Sequence, residues 1–343
     1  MSDFDKAIEF AQECVSKTPV VLLGSGASAA HGIPGMWPLG AHIKENPPKG
    51  MSPEDAQGWN QFSESLDQLD LESALTKTRL SEHLTDHIVH STRSFLFPHD
   101  HDVFLRAISE RESLPLSRLY HFLFQSTHQT IHVVTPNYDR IAEYASDLAG
   151  YSYFTGFEYG YINRRARDEN MRVHQAGRAV RTVCIWKVHG SFDWFKDRDD
   201  QVFFFPNCWE TPEGYTPVMI TPGVDKFRRG YQEPFRTIIG AADSAIDAAR
   251  SYLCIGFGFN DEHLQTKLVE RCRGNNTPTV IITKELTDTA KDFLFKGKCR
   301  QFLAMEECEG GTMIYTHFAP DGFHLPDQSL WQLDKFLDVT IGA

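Results

Sequence analysis

The 343-residue chain carries 46 acidic against 34 basic side chains, a formal charge of -12 at pH 7, and 41% hydrophobic residues. That length supplies an ample core without any disulfide or metal staple, and the acidic balance argues against broad binding to a phosphate backbone. The 7 cysteines, at positions 14, 184, 208, 254, 272, 299 and 308, form no C-x-x-C pair and so indicate neither a disulfide framework nor a zinc ribbon.

Residues 1–17 lack a long apolar core and a small-residue cleavage site, and no stretch approaches membrane-spanning length. A cytoplasmic protein without membrane contact is expected. Ser2 can cap a first helix in which Phe4, Ala7, Ile8, Ala11, Cys14 and Val15 recur at helical spacing. Val20, Val21, Leu22 and Leu23 then run into Gly24-Ser25-Gly26-Ala27-Ser28, the pattern of a buried parallel strand ending in a tight turn that opens a helix. Such a turn can cradle a phosphate, because glycines let backbone N–H groups close on an anion and the helix start adds its positive end. The bland alternative is an ordinary strand-to-helix turn whose glycines serve sharp geometry alone.

After Gly32-Ile33-Pro34 the pattern becomes mostly helical, and residues 41–128 read as a helical module inserted into an α/β domain that spans 1–343. Within it His83, His87 and His90 could share a helical face, but a solvated or partner-facing stripe is favoured over metal ligation. Pro98-His99-Asp100-His101-Asp102 has the composition of a polar turn before a helix beginning near Val103. No metal is assigned to either cluster.

A second apolar run at 131–134 leads into Thr135-Pro136-Asn137-Tyr138-Asp139, and a helix follows to about Leu148. Residues 151–180, with Arg164, Arg165 and Arg167, read as a surface loop or hairpin placed where a lid would be. A third run at 183–186 ends in Lys187-Val188-His189-Gly190-Ser191, and the aromatics that follow, with 217–221, suggest a compact strand-rich connection. A helix over 233–250 precedes Tyr252-Leu253-Cys254-Ile255-Gly256-Phe257-Gly258-Phe259-Asn260-Asp261, again a strand running into glycines and a helix cap. A strand at 279–283 and a final helix near 329–337 complete the reading, with 305–343 otherwise unassigned. Alternating apolar runs and helices predict a Rossmann-like, doubly wound, mainly parallel sheet, with polar groups at the strands' C-terminal ends where such sheets bind ligands.

The four motifs in this order resemble the sirtuin superfamily, and most closely its bacterial anti-phage NAD hydrolases, over about 18–304. The resemblance implies NAD+ binding by Gly24, Gly26, Ala27, Ser28, Gly256 and Phe257, with Asp139 recognising the nicotinamide end. It implies Asn137 and His189 as catalytic residues, one placing water or ribose and the other acting as base. Those residue types suit glycosidic cleavage, in which C1′ becomes cation-like and water must be oriented and deprotonated.

Pro136-Asn137-Tyr138-Asp139 and Gly35-Met36-Trp37 depart from the protein-deacylating sirtuins, as do the missing paired C-x-x-C motif and the missing Phe-Gly-Glu segment. Gly258 stands where a hydroxyl residue often meets the nucleotide. These departures favour an NAD+ glycohydrolase, needing no metal, over a deacylase, an ADP-ribosyltransferase or a non-catalytic NAD or ADP-ribose sensor. The G-x-G-x-x-G register of a dehydrogenase fails at Ala29. The resemblance further implies a homo-oligomer, with or without a separately encoded DNA-translocating ATPase or other sensor, with the helical module as the contact surface.

Overall fold

The computed structural model describes residues 1–109, 114–167, 173–221 and 232–342. Helix α1 (Asp3–Ser16) starts where Ser2 Oγ accepts from the Asp5 amide at 3.1 Å and the Asp5 carboxylate accepts from the Ser2 amide at 2.8 Å. This reciprocal cap satisfies donors that the first turn would otherwise leave open. Strand β1 (Val20–Leu23), buried throughout, is followed by α2 (Ser25–Ala29), α3 (Met36–Glu45), α4 (Pro53–Ser65), α5 (Leu71–Lys77), α6 (Glu82–Ser109) and α7 (Pro115–Leu123). Between 41 and 128 the described residues are mostly helical, with 110–113 lying outside them.

Next come β2 (Thr130–Thr135), α8 (Ile141–Leu148), β3 (Ser152–Phe154), β4 (Asn163–Arg164), β5 (His174–Gln175), β6 (Arg178–Ala179) and β7 (Thr182–Lys187). They are followed by β8 (Gly190–Lys196), β9 (Val202–Phe204), β10 (Thr216–Met219), α9 (Phe235–Ala248), β11 (Tyr252–Ile255) and α10 (Glu262–Gly274). The chain ends with β12 (Thr279–Ile282), α11 (Asp288–Phe295), β13 (Phe302–Cys308), β14 (Gly311–Thr316), β15 (Ala319–Pro326) and α12 (Leu333–Thr340). Of the 151–180 segment, residues 168–172 lie outside the described residues, and the remainder supplies β3, β4 and the β5–β6 hairpin.

The main sheet has 9 strands in the order β15-β14-β13-β12-β11-β1-β2-β7-β3, parallel from β13 through β3, with β14 and β15 added antiparallel at one edge. Alternate residues of one strand face opposite cores. Val21 and Leu23 join a core with α1, α3 to α8 and α12, whereas Val20 and Leu22 join one with α9, α10 and α11. The sheet is therefore covered on both faces, which is why its central strands are unbroken apolar runs. A second sheet, β10-β8-β9-β4, is antiparallel and packs Trp194 and Phe204 into the core that holds α9 to α11.

Residues 98–102 do not form a turn, because α6 continues through Pro98. Asp100 is completely buried and accepts from the Arg140 amide at 2.7 Å, the Arg140 guanidinium at 2.7 Å and the Tyr144 hydroxyl at 2.8 Å. Long-range ion pairing thus holds as helix a stretch whose local composition reads as loop.

Candidate active site

The parallel order β11-β1-β2-β7 brings the C-terminal ends of four strands together, and the loop after each carries one of the four motifs. The β1 and β11 loops meet backbone to backbone. Gly24 N–H donates to Ile255 O and Gly26 N–H to Gly256 O, each at 3.0 Å. A Cβ on Gly24 would lie 2.2 Å from Gly256 O, and one on Gly26 2.7 Å from Gly256 Cα. Gly256 itself has φ +55°, and its Cβ would sit 2.3 Å from the Ala27 amide. These glycines let two loops cross at closer than side-chain distance. The expected cradle of Gly24 and Gly26 N–H groups is corrected accordingly, since both groups hydrogen-bond within the fold. Ala27 N–H likewise donates, at 3.0 Å, to Gly24 O.

Asn137 is fixed at the end of β2. Its amide N–H donates to Thr135 Oγ1 at 3.0 Å, and Thr135 Oγ1 donates to Leu23 O at 2.9 Å, tying the loop to β1. The side-chain Nδ2 donates to Gly24 O and to Ser28 Oγ, both at 2.8 Å. Ser28 Oγ in turn donates to Asp139 Oδ2 at 2.5 Å. With both amide hydrogens engaged, the orientation of the carboxamide is determined and Oδ1 is left as the acceptor of a residue that lines the cavity.

Asp139 is buried, and burial pushes its carboxyl above the usual range, with nearby Lys187 pulling it back down. The Lys187 ammonium donates to the Asp139 backbone carbonyl and pairs with Glu143 at 3.0 Å, so β7 and α8 both brace the Asn137 loop from below. The neighbouring Arg140 adds a second brace, pairing with Asp100 of α6 and with Asp193 of β8 at 3.1 Å.

His189 follows β7, and its Nε2 lies 2.9 Å from Oδ2 of Asp261. Asp261 is the N-cap of α10, its Oδ1 accepting from the Leu264 amide at 3.0 Å. Phe257 and Phe259 are buried and stack edge to face at 4.9 Å beneath the β11 loop.

A cavity of about 200 Å³ opens among these loops. Gly24, Ser28, Asn137, Asp139, His189 and Phe257 line it, whereas Gly26, Ala27 and Gly256 stand behind its wall. The spacing did not reveal that Asp70 and Glu72, at the start of α5, also line the cavity, nor that Asp261 does so beside His189. For Asp261 the available signal was its position immediately before α10, read only as a cap. Asp70, Glu72 and Asp261 line the cavity along with the buried Asp139, and among the described residues lining it there is no lysine or arginine. Such walls favour a ligand with a cationic centre. Gly258 lines the cavity without a side chain, and its carbonyl accepts from Thr287 at 2.5 Å.

Residues 131–296 match a family model described as a SIR2-like domain. No curated protein matches the chain. Among solved structures, one determined for the mechanism and regulation of Sir2 enzymes is 13% identical, with a TM-score of 0.37, covering 83% of this chain and 88% of that one. Another, determined for sirtuin substrate affinity, is 12% identical with a TM-score of 0.42, covering 84% and 90% respectively. The β2, β7 and β11 loops all lie inside the matched residues 131–296, and it is this part of the chain that is similar to a SIR2-like domain.

Proposed function

We propose that this protein is an NAD+ glycohydrolase, cleaving the bond between nicotinamide and ribose to give nicotinamide and ADP-ribose. The observation that carries the reading is the convergence of Asn137, Asp139, His189 and the start of α2 on one cavity at the C-terminal edge of a parallel sheet. NAD+ is the substrate, its pyrophosphate against the α2 start and its nicotinamide end against Asp139. As nicotinamide departs with the bonding electron pair, positive charge develops at C1′ and the ring oxygen, where the carboxylate walls stabilise it. Asn137 Oδ1 accepts from the attacking water, His189 takes the water's proton, and the remaining hydroxyl oxygen bonds to C1′. No step needs a metal.

Incubating the purified protein with NAD+ and resolving the products tests this directly. Nicotinamide and ADP-ribose in equal amounts without an acceptor protein are expected. Product only with an acceptor would identify a deacylase or transferase, and binding without cleavage a sensor. In the proposed setting the enzyme is an NAD-depleting anti-phage effector, held inactive until assembly. The proposed assembly is a homo-oligomer, with or without a separately encoded ATPase or other sensor, contacted through a helical module at 41–128 within the single 1–343 unit.

A further inference from the structure

We infer that Asp261 is a positioning residue for His189, fixing which imidazole nitrogen is basic; the catalytic part of this inference rests on the proposed hydrolysis. The two side chains come from loops far apart in sequence, after β7 and after β11, yet meet at 2.9 Å. Both are only slightly open to the cavity, at 13% and 10% exposure, so little water competes for the contact.

The carboxylate is itself held. Oδ1 accepts from the Leu264 amide at 3.0 Å, which leaves Oδ2 facing His189 Nε2, and the N-terminal end of α10, a 13-residue helix, favours negative charge at this position. An ionised carboxylate only accepts hydrogen bonds, so a neutral imidazole in this pair carries its proton on Nε2 and its lone pair on Nδ1. Nδ1 is then the atom that accepts the proton from water, after which the imidazolium keeps its Nε2–H bond to Asp261 and gains a stabilising counter-charge. Helix capping alone would need only the contact to Leu264. The second oxygen's contact with the imidazole is what assigns a further role.

The test compares the parent with Asp261→Asn and Asp261→Ser, both of which retain a capping side chain. Melting temperature and circular dichroism establish that each variant is folded. Imidazole ¹⁵N shifts of His189, assigned by their disappearance in His189→Ala, read the tautomer without substrate. The parent is expected to hold the Nε2–H tautomer, and both variants to show a mixture. Nicotinamide release should fall about 10²-fold in kcat, the lower end of a general-base contribution, with KM for NAD+ changed much less. In the double variant with His189→Ala, replacing Asp261 should cost nothing further. An unchanged tautomer in both folded variants would overturn the inference, as would a changed tautomer with parental kcat. A parent that holds the Nε2–H tautomer, loses it on replacement of Asp261, yet releases no nicotinamide would sink the hydrolase reading while leaving the positioning contact supported.

Discussion

At the scale of single residues, the side chains proposed for chemistry are those whose own hydrogen bonds leave one functional atom uncommitted. Asn137 gives both amide hydrogens to Gly24 O and Ser28 Oγ, so Asn137→Ala removes an oriented acceptor together with these two hydrogen bonds, while the Ser28–Asp139 and Thr135–Leu23 contacts remain. Asn137→Ala and His189→Ala should each lower nicotinamide release about 10²- to 10⁴-fold while NAD+ affinity changes much less, measured by product formation and calorimetry on folded protein. Asp139 allows a pH test. Burial raises its carboxyl from the ordinary value of 3.8, against the pull of Lys187, so folding favours the protonated form. That contribution is complete below 3.8 and is lost as pH rises through the raised folded value. Asp139→Asn, which stays neutral, should therefore flatten the decline in melting temperature over that window, and an unchanged slope would place the titration elsewhere. The loops that carry Asn137, Asp139 and His189 stand out in the sequence because they follow apolar runs and resemble sirtuin motifs, whereas the contact between Asp261 and His189 does not. That contact depends on the adjacency of strands that are separated in sequence, which no local pattern encodes.

At the scale of elements, the long helix α6 shows what local composition cannot carry. A proline amid alternating histidines and aspartates reads as a turn, yet Asp100 is buried against Arg140 and Tyr144, and Arg140 reaches on to Asp193 and Asn207. This cluster joins α6 to β8 and to the residue that follows Asp139, so α6 is fastened to the loop after β2. Replacing Asp100 with alanine leaves a buried guanidinium short of a partner, which costs about 3–5 kcal/mol where a buried pair is broken from one side. Urea titration of Asp100→Ala should show a loss of that size. The same measurement on His83→Ala should show less than about 1 kcal/mol, because its contact with Asp55 at 3.3 Å is exposed. Comparable losses in the two variants would mean that the cluster contributes no more than a surface pair. The histidine stripe is explained in the same terms, with His83 against Asp55 and His87 Nε2 at 2.8 Å from Asn46 O.

At the scale of the whole molecule, the doubly wound core was legible from unbroken apolar strands alternating with helices, because burial on both faces writes itself into every residue of a strand. The edge strands β14 and β15 were not, since β14 alternates buried and half-buried positions and β15 has no buried residue. Five of the seven cysteines, Cys14, Cys184, Cys254, Cys272 and Cys299, are buried in this architecture, and they carry the last prediction. Cys14 Sγ donates to Tyr252 O at 3.4 Å beneath the sheet, and burial pushes its thiol up to about 12. Cys254 is likewise held well above the ordinary thiol range by burial, so both remain protonated near neutrality. Zinc binds thiolate, and ligation here would require deprotonating side chains inside a packed core. The protein should accordingly fold and, if it hydrolyses NAD+, turn over without zinc. Elemental analysis of purified protein should find well under one zinc per chain, and dialysis against a chelator should leave both melting temperature and nicotinamide release unchanged. Stoichiometric zinc whose removal lowers either quantity would show that some of these thiols leave the core as ligands, and the metal-free reading of the reaction would fall with it.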